Sequence, residues 1–128
     1  MNIQELETIV RLQLPVKIFI WNNQGYASIR SMQNNNFGGF QVASGESSGL
    51  SMPDTVKVAE AYGLKTFRVM NKQQLEEQID NVLNTEGPVL CELMISPDET
   101  VSPRTKTIVH EDGTMESYPL EKMWPDVD

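Results

Sequence analysis

The sequence predicts an α/β fold, a mostly parallel sheet with helices on both faces, from three observations. Apolar residues recur at helical spacing in several stretches. Two mainly apolar runs, 16–21 and 89–95, are strand-sized and each follows a proline. The two textures alternate along the chain, as expected of strands joined by covering helices.

Each element follows in order. Ile3, Leu6, Ile9 and Val10 share one helical face, so an amphipathic helix is expected from about Asn2 to Gln13. Pro15 ends it, and Val16–Trp21 reads as a strand. Asn22-Asn23-Gln24-Gly25 is a loop at that strand's carboxyl end. A short helix starts near Tyr26 and fades into the polar, glycine-containing stretch from Asn34 to Gly49. Met52-Pro53-Asp54 is a helix-start signal for Thr55–Tyr62, which Gly63 stops. Thr66–Val69 is a short strand. Asn71 can cap the next helix, whose apolar face is Leu75, Ile79, Val82 and Leu83, with Glu76, Glu77 and Asp80 forming a solvated face. After Gly87-Pro88, Val89–Ile95 forms the last strand.

Beyond Ser96 the pattern dissolves into an irregular tail with Pro97, Pro103, Pro119 and Pro125. Asp112-Gly113 marks a hairpin there, with a tight primed turn. A doubly wound domain normally opens on a strand, whereas this chain opens on a helix, so the expected fold is one truncated at its N-terminus.

Composition excludes several classes. With 128 residues there is room for one compact domain. A formal net charge of −8 argues against a nucleic-acid partner, since phosphate binding needs a basic surface. No apolar run is long enough to cross a bilayer, and the first residues lack the pattern of a secretory signal. Cys91 is the single cysteine, which excludes an internal disulfide and fits a cytoplasmic location. It lies in an apolar run and reads as core. His110, the lone histidine, reads as a surface residue.

Chemistry concentrates at the 22–26 loop. Ligands bind open α/β sheets just past the carboxyl ends of their strands. Asparagine and backbone carbonyl oxygens are hard ligands suited to magnesium or calcium. A helix starting immediately afterwards points N–H groups at a phosphate. Metal plus diphosphate is one reading of this loop, and an ordinary turn is the other.

A family resemblance bears on that choice. The stretches 1–9 and 14–20, followed by Asn22-Asn23-Gln24-Gly25-Tyr26, resemble the thiamine-diphosphate motif, which opens with Gly-Asp-Gly and closes in Asn-Asn. The Asn-Asn close is here. The Gly-Asp-Gly opening is not, and the family pattern puts it a few residues before Met1. Residues 54–64 and 87–93 resemble the family's following helix and last strand. The tail, with Pro103-Arg104-Thr105, Asp112-Gly113 and 119–125, is similar to the endings of acetolactate synthase-like proteins.

The resemblance implies the C-terminal portion of a thiamine-diphosphate-binding (PP-type) domain over 1–95, and a tail or active-site lid over 96–128. It implies thiamine diphosphate and Mg2+ as cofactors. Asn23 would give the metal its side-chain oxygen, and Gly25 its backbone carbonyl. The backbone at Ala27 and Ser28 would face the diphosphate, while Asn22 holds the loop. The parent enzyme would be a transferase (a carboligase) condensing 2-keto acids with decarboxylation, as in branched-chain amino acid biosynthesis. The metal-binding aspartate and the activating glutamate lie outside the chain, so the fragment alone is expected to be inactive, with no catalytic residue of its own. Relatives often bind FAD through a central domain elsewhere.

Pyruvate decarboxylase-like members carry a catalytic glutamate at the position of Ile29, a departure that favours carboligation here. Another thiamine-diphosphate decarboxylase or carboligase, or a non-catalytic α/β scaffold, are the alternatives. Expected partners are the missing N-terminal domains, a homo-oligomer, and a 2-keto acid, with neither nucleic acid nor membrane.

Overall fold

The computed structural model describes residues 2–99, 101–105 and 107–125. Among them, alternating helices and strands appear in the expected order. They are α1 (Glu5–Arg11), β1 (Lys17–Asn22), α2 (Ala27–Asn36), α3 (Thr55–Ala61), β2 (Lys65–Val69), α4 (Leu75–Asn84) and β3 (Val89–Met94). Short 3₁₀ turns at Glu46–Ser48 and Lys72–Gln74 interrupt the connections. The expected cap at Asn71 is real, but it starts the second of these turns by accepting from the Gln74 N–H. The α-helix follows only at Leu75.

All three long strands are parallel, in the order β1-β3-β2. β3 is central, pairing Ile18 and Thr66 with its Leu90 on either side. A strand paired on both edges and covered on both faces should read as an unbroken apolar run. Val89–Glu92 is indeed fully buried. Alternation sorts its side chains between two clusters. Val89 and Cys91 pack with Val69, Val82, Phe19, Phe67 and Leu93. Leu90 packs on the other face with Ala59, Leu64, Leu6, Val10, Ile18, Ile20 and Tyr62. The helices therefore cover both faces, as the sequence predicts.

Local signals explain the ends. Asp54 caps α3, accepting from the N–H groups of Val56 and Lys57 at 3.2 Å each. Lys17 crosses to the end of α4 and donates to the carbonyls of Thr85 and Gly87, the latter at 2.7 Å. The Thr85 carbonyl belongs to the C-cap of α4, where a helix terminus leaves acceptors unpaired and a cation is favourable.

The tail contains a hairpin of β4 (Thr107–Val109) and β5 (Met115–Ser117), paired antiparallel. Its turn differs from the primed two-residue turn expected. His110 pairs with Thr114, the Gly113 N–H bonds the His110 carbonyl, and Gly113 alone has a positive φ, of 82°. Primed type I′ geometry needs two residues with positive φ, and Asp112 does not supply one. The chain instead takes a three-residue loop with glycine in the left-handed position. No helix among the described residues is long and apolar enough to cross a membrane.

Candidate functional site

β1 and β3 reach their carboxyl ends in register, Asn22 beside Met94, and β2 ends one pair earlier at Val69 beside Leu93. The loop after β1 sits on that edge. The Asn22 side chain is engaged at both ends: its Oδ1 accepts from the Gln24 N–H at 3.0 Å, and its Nδ2 donates to Glu92 Oε1 at 2.8 Å. That turn puts Gln24 at φ 59° and Gly25 at φ 150°. Gly25 forms an isolated antiparallel bridge to Gly45, and the Tyr26 N–H donates to the Ser44 carbonyl at 2.9 Å.

Only glycine fits at position 25. A Cβ built there would lie 2.2 Å from the Ser44 carbonyl oxygen, which no side chain tolerates. The segment pressing on it is itself locked. Ser48 Oγ accepts from the N–H groups of Ser44 and Gly45 at 3.0 and 2.9 Å, and Ser44 is fully buried. Arg30, one helical turn into α2, donates from Nη2 to the Asn23 carbonyl at 2.9 Å. Asn23's backbone oxygen is thus used, whereas its side chain makes no hydrogen bond among the described residues.

α2 begins with Tyr26 as its N-cap residue, without a side-chain cap and without an acidic residue in its first turn. The N–H groups at such a start are unsatisfied by the chain and favour an anion. Asn23, Ala27 and Ser28 line one cleft of about 980 Å³ together with Ser31, Met32 and Trp21. Arg104 and Trp124 from the tail form its far side. Arg104 Nη1 donates to Ser31 Oγ at 2.5 Å and its guanidinium lies 5.6 Å from the Trp124 ring centroid. Gly25 is not itself among the lining residues; the side of its Cα where a Cβ would stand faces Ser44 and Gly45. Among the described residues no cluster of three or more Asp, Glu, His or Cys side chains could hold a metal. The oxygen donors at hand are amide and backbone oxygens.

A second polar group lies beneath the loop. Glu92 is 1% exposed. It accepts from Asn22, from Thr55 Oγ1 at 2.6 Å, and from Arg68 Nε at 2.5 Å. Arg68 in turn donates to Asp54 at 3.0 Å. Burial alone would push the Glu92 carboxyl up. The hydrogen bonds from Thr55, Asn22 and Arg68 outweigh it and hold the group below the usual carboxylate range. Arg68 is raised in turn by Glu92 and Asp54, led by its hydrogen bond to Glu92.

Sequence reasoning missed Glu92, Ser44, Gly45 and Arg30. Only Glu92 carried a signal, a lone acid inside the apolar run 89–95. Cys91 is fully buried and burial pushes its thiol up, so it is a core residue and no nucleophile. His110 sits 3.2 Å from Glu116 across the hairpin and is not among the cleft residues.

The fold and its loop define an open-sheet α/β domain with its polar loop at the strands' carboxyl ends. The sequence profile described as thiamine pyrophosphate enzyme, C-terminal TPP binding domain, matches residues 1–93. The chain belongs to this family, as an acetolactate synthase-like member. It is 37% identical to an acetolactate synthase large subunit of Pyropia yezoensis over 103 residues, covering 80% of this chain and 17% of that protein. Against the acetolactate synthase isozyme 2 large subunit of Escherichia coli (strain K12), it is 34% identical over 123 residues, 96% of this chain and 21% of that protein. A probable acetolactate synthase large subunit of Methanocaldococcus jannaschii is 35% identical over 103 residues, 79% of this chain and 17% of that protein. The chain spans about a fifth or less of these relatives' length.

Proposed function

We propose that this chain is the metal-and-diphosphate-holding end of a thiamine-diphosphate enzyme that condenses 2-keto acids with decarboxylation. The observation that carries the reading is the convergence of the Asn23 side chain, which makes no hydrogen bond among the described residues, with the uncapped start of α2 in one cleft. The donor set fits the cofactor's anchor. Mg2+ takes oxygen ligands and uses few from the protein, the rest coming from phosphate and water. Asn23 would supply its side-chain oxygen and Gly25 its backbone carbonyl. The N–H groups at Ala27 and Ser28 would face the diphosphate.

When bound, thiamine diphosphate supplies the carbanion chemistry, and the protein supplies binding and orientation. This chain's own share is to fix the loop. Arg30 holds the Asn23 carbonyl, Asn22 sets the turn, and Ser44 requires a glycine at position 25. Residues 1–95 would form the C-terminal portion of the binding domain. Residues 96–128 would act as a tail or active-site lid, a reading supported by Arg104 and Trp124 in the cleft wall. The activating glutamate and one metal-binding aspartate would come from elsewhere in a cytoplasmic homo-oligomer, leaving the isolated chain inactive.

The test is a titration of Mg2+ and thiamine diphosphate into the full-length protein, beside Asn23→Ala. Binding that requires Mg2+ and weakens at least about tenfold in the variant supports the reading, a loss of about 1.4 kcal/mol. Equal binding by both proteins, or by neither, overturns it in favour of a simple turn.

A further inference from the structure

Glu92 is an expensive residue where it stands. It lies in the central strand, paired in register with Ile20 on one side and Arg68 on the other. A carboxylate at 1% exposure must be fully bonded to be tolerated, and an apolar residue of similar size would usually serve stability as well or better. The bonds it makes are unevenly useful to the fold. Thr55 and Arg68 tie it to the start of α3 and to β2, elements already held by the core. The bond to Asn22 is different, because Asn22 has a second job.

The carboxamide of Asn22 is planar, so fixing Nδ2 on Glu92 aims Oδ1 at the Gln24 N–H. That second bond turns the chain through the left-handed conformation at Gln24 and into Gly25. A non-glycine residue held at positive φ persists only when its surroundings over-determine it. The direction of the Asn23 side chain and of the Gly25 carbonyl depends on that turn. Without an acceptor beneath it, the Asn22 amide could flip or rotate to solvent, and the turn would lose its brace.

We infer that Glu92 is a positioning residue for cofactor binding, acting through Asn22 to preset the metal loop. This rests on the function proposed above and goes beyond it, since Glu92 is not among the residues lining the cleft with Asn23, Ala27 and Ser28. Binding is strengthened when the loop is held in its bound shape beforehand, because less freedom is lost on association. The buried carboxylate is thus a link from the sheet's core to the ligand loop.

The experiment is a donor–acceptor swap in the full-length protein. Asn22→Asp removes the donor and sets two acceptors against each other. Glu92→Gln removes the paired charge. Combined, the introduced amide can donate to the introduced carboxylate, the Thr55 hydroxyl can turn to accept, and Arg68 keeps an acceptor. Each single variant should weaken Mg2+-dependent thiamine diphosphate binding about tenfold or more. The double variant should recover to within about threefold of the parent. Hydrogen exchange at the Gln24 amide, measured without ligand, should follow the same order, fast in the singles and slow again in the pair.

A merely structural Glu92 would leave folded Asn22→Asp unaffected, or leave the double variant no better than its worse single, and either result overturns the inference. If Glu92→Gln does not fold, Asn22→Asp and the double variant still decide it. A parent that binds nothing defeats the functional proposal instead, while the Gln24 exchange pattern continues to report whether Glu92 holds the loop.

Discussion

The carbonyl oxygen of Ser44 occupies the space a Cβ on Gly25 would need, 2.2 Å from its ideal position. The 22–26 loop and the 43–49 segment are therefore fitted backbone to backbone, with the Tyr26 N–H donating to the same oxygen.

Gly25→Ala should be costly for two separable reasons, a positive φ of 150° and the clash with Ser44. Gly38 also has a positive φ, 59°, but nothing lies within 4 Å of its added Cβ. Gly38→Ala should cost about 1–2 kcal/mol from conformation alone. Gly25→Ala should exceed it in urea denaturation and also abolish cofactor binding. Equal losses for the two variants would mean that the loop moves off Ser44 freely.

Stability should fall in acid, in part through Glu92. Its carboxyl is held below the ordinary value of 4.5. A depressed carboxylate contributes stability that is present above that value and is lost as pH drops through its folded pKa. Unfolding midpoints should decline below about pH 4.5. Asp54 is also depressed, chiefly by the Lys57 N–H, and adds to the same limb. The difference between parent and Glu92→Gln isolates the one group: the variant should show a lower neutral plateau and a shallower acid limb. Parallel curves would rule Glu92 out as a contributor.

Arg104 is the clasp of the tail. It exchanges two backbone hydrogen bonds with Trp124, at 3.0 and 2.7 Å, while its side chain reaches Ser31 on α2. Arg104→Ala keeps the backbone pairing but removes the anchor, so amide exchange at Arg104 and Trp124 should accelerate severalfold. Exchange in β3, inside the core, should stay unchanged. If Trp124 exchanges at the parent rate, the tail is held by other contacts.

β1 is an edge strand of this sheet, and Trp21 on it is 72% exposed. A parallel edge that pairs with no further strand among the described residues, and that carries apolar side chains, invites pairing with another chain. The 128-residue chain should self-associate in a concentration-dependent way by sedimentation velocity. A single monomeric boundary at all concentrations would contradict this.

What the sequence by itself determined is local. Apolar periodicity, Pro15, Asp54 and Gly87-Pro88 set the helices and strands, because each acts through its own backbone or immediate neighbours. The Asn22-Asn23 loop was legible for the same reason, as a polar break after a strand with a helix behind it. Its family motif is contiguous in the chain. Only the tertiary structure decided that Gly25 meets Ser44, that Arg30 holds the Asn23 carbonyl, and that Arg104 closes over Ser31. Most of all, it decided that Glu92, 70 residues from Asn22, lies directly beneath it. Pairing in a parallel sheet joins strands remote in sequence, and a buried charge reveals its partners only once the chain has closed around it.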